Sequence, residues 1–102
     1  MTSKQRAVYA ARLLDEKKAQ DILLLDVQGM TVITDYMLIC SGRSVPQVKA
    51  LCEHVEEKLA EQECFARRKE GVGDGRWIVL DHGEMMIHIL KSLIFRIWRS
   101  WT

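Results

Sequence analysis

The stretch Tyr36-Met37-Leu38-Ile39-Cys40-Ser41-Gly42-Arg43-Ser44-Val45-Pro46-Gln47-Val48 decides the fold. Its first five residues form an apolar run too short for a helix, bounded by the turn formers Ser41 and Gly42, and therefore read as a strand. Ser44 then opens a helix. Ser44 and Gln47 stand at capping-box spacing, where each side chain can satisfy the other residue's unpaired backbone N–H. Pro46 falls in the first turn, where a missing N–H costs nothing. Val48, Leu51, Cys52, Val55 and Leu59 continue as one apolar stripe at steps of three and four. Glu53, Glu56, Glu57, Lys58 and Glu61 occupy the solvated side. A buried strand turning sharply into an amphipathic helix is the unit from which α/β layers are built.

Working outward, residues 4–19 carry Ala7, Val8, Ala11 and Leu14 at helical spacing, with Ser3 in position to cap and a local excess of Lys and Arg. Ile22-Leu23-Leu24-Leu25-Asp26-Val27 reads as a buried strand, ended by Gln28-Gly29. On the other side, Arg67-Arg68-Lys69 leads into Gly71-Val72-Gly73-Asp74-Gly75. Trp77-Ile78-Val79-Leu80 and Met85-Met86-Ile87-His88-Ile89-Leu90 then flank the loop Asp81-His82-Gly83-Glu84 as a β-hairpin. Leu90, Leu93, Ile94, Ile97, Trp98 and Trp101 end the chain at helical spacing. The order helix, strand, strand, helix, three strands, helix predicts a single α/β domain over residues 1–102, a mixed β-sheet flanked by helices.

Composition narrows the function. With 102 residues and a net charge of +1, the chain is one domain without the global positive field of a bulk phosphate binder. No secretory signal and no span of about 20 apolar residues is seen, so a cytoplasmic chain without membrane contact is expected. Cys40, Cys52 and Cys64 lack metal or redox spacing and read as small hydrophobes of a reducing compartment; no metal and no cofactor is expected.

Each motif with a chemical reading has a plainer one. Gly71, Gly73 and Gly75 precede a strand rather than a helix and read as a turn, not a phosphate cradle. Gly42-Arg43-Ser44 sits at a strand-to-helix corner that could hold an anion. Nucleotidyl transfer there would also need paired carboxylates for divalent metal; Asp35 and Asp81 are the candidates, with Glu84 less well placed, but no Asp-x-Asp or Asp-x-Glu pair occurs. His54 faces away from the apolar stripe and should meet solvent. His82 lies in the hairpin loop. Alternation puts His88 on the face of Met86 and Leu90, opposite Met85, Ile87 and Ile89. Trp77, opening a strand after a glycine-rich loop, reads either as a core anchor or as an exposed binding hot spot. The acid-free segment from Lys91 onward reads as a terminal helix covering the sheet, with docking into a partner or onto a membrane as the alternative.

Leu25-Asp26-Val27, Ile33-Thr34-Asp35-Tyr36, Ser41-Gly42-Arg43-Ser44 with Gln47-Val48, Glu70-Gly71, Gly75-Arg76-Trp77-Ile78-Val79-Leu80-Asp81 and Ile87-His88-Ile89 follow one another in a recognisable order. Together they resemble the ribosomal silencing factor family, the Iojap-like proteins of bacteria and organelles. The resemblance implies nucleotidyltransferase-like topology without the catalytic carboxylates, and no enzymatic activity. It implies a repressor that binds protein L-fourteen of the large ribosomal subunit and sterically blocks joining of the small subunit under nutrient limitation. Trp77, Asp81 and His88 are then expected to bind the partner, with Asp35, Tyr36 and Glu70 also carried over from family motifs. Two alternatives from the residues alone are a metal-dependent nucleotidyltransferase and a direct RNA-binding module; sequence-specific nucleic-acid reading is not expected. A homodimer is compatible with the exposed sheet and the Trp-rich tail. After His88 the family continues with an Arg, a Tyr and a Leu-Glu pair before a closing Trp, whereas this chain runs Leu90-Lys91-Ser92-Leu93 and ends early. The resemblance therefore assigns no role to the last twelve residues.

Overall fold

The computed structural model describes residues 1–101, with side chains through Ser100. Trp101, read above as part of the last apolar stripe, has its side chain outside that description. Elements follow the expected order: α1 (Ser3–Glu16), β1 (Gln20–Asp26), β2 (Tyr36–Gly42), α2 (Val45–Glu61), β3 (Arg68–Glu70), β4 (Trp77–Asp81), β5 (Met85–Lys91) and α3 (Ser92–Trp101). The strands form one five-stranded sheet in the order β1-β2-β5-β4-β3. β2 and β5 run parallel at the centre and the other pairs are antiparallel, so the sheet is mixed as expected.

α1 and α2 cover one face. Ala7, Leu14, Val48, Leu51, Val55 and Leu59 meet Leu38, Cys40, Ile78, Leu80, Ile87 and Ile89 in the main core. Each fully buried Leu or Ile side chain contributes roughly 1.5–3 kcal/mol through the apolar surface it removes from water. α3 lies on the other face, where Phe95 with Ile39 and Leu90 forms a second, smaller cluster packed by Ile94 and Trp98.

Several local expectations are corrected. Ser3 is not the cap of α1: Thr2 accepts from the Gln5 N–H and the Gln5 side chain answers it. Ser3 instead donates to Glu84 on the β4–β5 loop. Ser44 caps α2 by accepting from the Gln47 N–H at 3.2 Å, but the Gln47 side chain reaches back one residue further, to the Arg43 N–H. β1 is not buried. It is an edge strand, pairs only with β2, and leaves Leu23 and Leu25 each 44% exposed. A break in register between Gln20 and Leu23, with Asp21 at φ 54°, lets the Asp21 carboxylate accept from the Ser41 hydroxyl at 2.7 Å. His54 is not solvent-facing either, because α1 packs beside α2 and brings Glu16 within 3.6 Å of its Nε2.

Candidate partner-binding face

Strand alternation and register assign side chains to the two faces of the sheet. Opposite the α1–α2 layer stand Leu23 and Leu25 of β1, Met37 and Ile39 of β2, Met86, His88 and Leu90 of β5, and Trp77, Val79 and Asp81 of β4. Arg68 faces Asp81 and Glu70 faces Val79 across the β3–β4 pair, which extends this face to the sheet's other edge. α3 covers only the end nearest Leu90, so the remainder meets solvent.

Trp77 opens β4 directly after a turn closed by the Gly75 N–H on the Gly71 carbonyl at 2.8 Å. The glycine run is thus a turn, and it serves to launch this side chain. Trp77 is 41% exposed, which settles its ambiguity in favour of the surface. Its indole Nε1–H donates to His88 Nδ1 at 3.2 Å, with ring centroids 6.2 Å apart. Since the indole nitrogen only donates, this bond requires neutral His88 with its proton on Nε2. Met37, Ile39, Leu90 and Trp98 complete a cavity of about 90 Å³ around the pair. Asp81 Oδ1 accepts from the Gly83 N–H at 2.8 Å, and Oδ2 lies 3.5 Å from Arg68. Asp81 therefore shapes the hairpin loop as well as charging the face.

The face brings together Trp77, Asp81, His88 and Glu70. It does not include the other two candidates. Tyr36 is 5% exposed and packs in the main core on the opposite side of the sheet. Asp35 sits before β2, where its backbone N–H donates to the Glu84 carbonyl and its carbonyl accepts from Val27. Met37, Leu23, Leu25 and Trp98 were missed as surface residues. Strand geometry turns every second side chain of β1 and β2 to one face, but their unbroken apolar runs do not say which side the helices leave open; that follows only from the strand order and the placement of α3.

The nucleotidyltransferase alternative loses its geometry. Asp35, Asp81 and Glu84 gather at the end where β2 begins, while Gly42-Arg43-Ser44 lies where it finishes. Seven strand residues separate them, about 20 Å. Glu84 is moreover engaged by Arg6 and Ser3, which hold its carboxyl below the ordinary range.

Burial pushes the imidazoles of His82 and His88 below their usual value of 6.5. An unfolded chain protonates near that value while the folded histidines resist, so the unfolded state binds more protons below it. Their contribution to stability is therefore full above about pH 6.5 and declines as pH falls below it. The melting temperature is expected to drop between pH 7 and 5, and a His82→Gln variant should show a shallower drop. A pH-independent melting temperature across that window would contradict the placement of both side chains. Protonating His88 also turns Nδ1 into a donor facing a donor, so Trp77 fluorescence should change over the same range.

A family model described as "Ribosomal silencing factor during starvation" matches residues 1–93. A ribosomal silencing factor of Bacillus subtilis is 35% identical over 92 residues, covering 90% of this chain and 78% of the relative. One from Haemophilus influenzae is 41% identical over 85 residues, 81% of each chain. A crystal structure of a protein from Chromobacterium violaceum superposes with a TM-score of 0.92 at 28% identity, over 98% of this chain and 83% of that one. Another, from Bacillus halodurans, gives 0.78 at 30% identity, over 96% and 91%.

Proposed function

The chain belongs to the ribosomal silencing factor family, and from that membership we propose a translational repressor that works by occupying the large ribosomal subunit. It is a ribosome-associated regulator of translation. In this reading the domain, residues 1–102, acts in the cytoplasm and docks on protein L-fourteen at the surface that meets the small subunit. Its bulk then obstructs subunit joining when nutrients are short.

The observation that carries this reading is the half-open sheet face around Trp77 and His88. An aromatic side chain held by a hydrogen bond and ringed by Met37, Leu90 and Trp98 presents a large apolar area that loses little freedom on binding. Glu70 and the Asp81–Arg68 pair supply a polar rim around it. Occlusion asks for such a complementary surface and for no reacting group. No helix among the described residues is long and apolar enough to cross a membrane.

Sedimentation tests it. The chain, at low micromolar concentration, is expected to travel with isolated large subunits through a sucrose gradient and not with small ones. A folded chain that stays at the top of the gradient with large subunits present would sink the proposal.

A further inference from the structure

Net charge conceals a separation along the strands. Where β1 and β2 meet the β4–β5 loop, Asp26, Asp35, Asp81 and Glu84 collect at one end of the sheet, with Arg6 paired to Glu84 and Arg68 to Asp81. The other end is built from cations. Arg43 follows Gly42, whose register partner across the parallel pair is Lys91. The Lys91 N–H donates to the Arg76 carbonyl at 2.8 Å, which sets Arg76 beside it. On the other side, Gln47 joins the Arg43 N–H to the Lys18 carbonyl, with bonds of 2.6 and 3.4 Å. Arg96 lies five helical residues beyond Lys91, about 7.5 Å along α3.

Lys18, Arg43, Arg76 and Arg96 are exposed and Lys91 is half-buried. Asp74, on Arg76, Asp21, which accepts from Ser41, and Asp15 and Glu16, at the end of α1 just before Lys18, are acidic side chains close to this end. Glu16 lies against His54, and among the described residues none of the four forms an ion pair with Lys18, Arg43, Lys91 or Arg96. From Lys91 onward the chain has three cations and no anion, while the ninety residues before it hold more acids than bases.

We propose that this cationic end, Lys18, Arg43, Arg76, Lys91 and Arg96, contacts the phosphate backbone of large-subunit RNA beside the protein that the Trp77 face engages. This rests on the docking reading above. Charge complementarity and position both support such a contact. An end of the domain where Lys18, Arg43, Lys91 and Arg96 have no ion-pair partner among the described residues and only Arg76 is paired, next to an apolar docking face, suits a surface where protein and RNA adjoin. Arg is suited to phosphate through its fork of donors. Such contacts fix orientation without reading bases, in keeping with a chain that recognises no nucleic-acid sequence.

Counterion release makes the proposal measurable. Each phosphate contact steepens the salt dependence of binding, by about 3.5-fold in affinity between 50 and 200 mM salt. Arg43→Gln with Arg96→Gln should remove two contacts, so the double variant should lose about 12-fold less affinity than the wild type over that range. Trp77→Ala should instead weaken subunit binding at every salt concentration and leave the slope alone. Equal slopes for wild type and double variant would overturn the proposal.

A short generic RNA duplex supplies a second readout that does not need the protein partner. The wild type should bind it weakly at 50 mM salt, lose it by 200 mM, and bind it less in the double variant; no binding at 50 mM overturns the proposal. Vesicles of phosphatidylglycerol separate the sources of phosphate. Retention on vesicles, but not on the duplex, would assign this end to a lipid surface and overturn the proposal as well. A wild type that misses large subunits yet binds the duplex in this salt-sensitive way would count against the docking reading and not against the cationic end.

Discussion

Trp77→Ala is expected to weaken binding to large ribosomal subunits by about 2 kcal/mol or more, roughly 30-fold, while the domain stays folded. Two structural facts set that expectation. The indole is 41% exposed and lies outside the main core, so its removal should cost about 1–2 kcal/mol of stability and leave the domain folded. What remains of it is already oriented by the Nε1–H bond to His88, so a partner meets a side chain whose freedom is largely spent. Trp77→Phe keeps a ring and loses the donor, and should fall between the two. Gradient sedimentation gives the affinity and chemical denaturation the stability. If the alanine variant unfolds, or binds as well as the wild type, Trp77 is not the anchor.

Gly71→Ala should be more damaging to the fold than any change on the face itself. Gly71 has φ 76°, where a Cβ is strained, and a Cβ there would be driven onto the carbonyl oxygen of Trp77. That oxygen belongs to the β4 backbone and has no flexible end to swing aside. Relief requires the β3–β4 turn to open, which moves the strand that carries Trp77. We expect a loss of about 3 kcal/mol in stability, seen as a lower denaturation midpoint with an unchanged slope. Weaker subunit binding should accompany it, although Gly71 has no side chain to offer a partner. Gly73→Ala is the matched control. It has no strained φ and nothing within 4 Å of a new Cβ, so its effect should stay within about 0.5 kcal/mol. Equal behaviour of the two variants would show that the turn does not fix Trp77.

Much of this was legible in the chain because it is written locally. The apolar stripe from Val48 to Leu59 specifies α2, and the spacing of Ile78, Leu80, Met85, Ile87 and Ile89 specifies a hairpin with one side in the core. Other features depend on neighbours distant in sequence. Ile22-Leu23-Leu24-Leu25 is apolar enough for a central strand, yet the strand order puts it at the edge. Tyr36 and Met37 are adjacent in a strand, so one enters the core and the other lines the half-open face, and no local signal says which. His54 lies off the stripe of its own helix, but its surroundings are set by α1. The candidate site divides in the same way. Alternation groups His88 with Met86 and Leu90 correctly, whereas the exposure of Trp77 depends on α3 reaching it only through Trp98, at one side of the cavity they share.

The most direct test of occlusion adds small subunits to the gradient experiment. Large subunits preloaded with the chain are mixed with small subunits at a magnesium concentration that otherwise favours joining, and the joined particle is followed by light scattering. The account predicts that the joined fraction falls as the chain is titrated, with half-effect where half the large subunits carry it, and that Trp77→Ala shifts this point to roughly 30-fold higher concentration. Full joining with the chain still bound to the large subunit would contradict it.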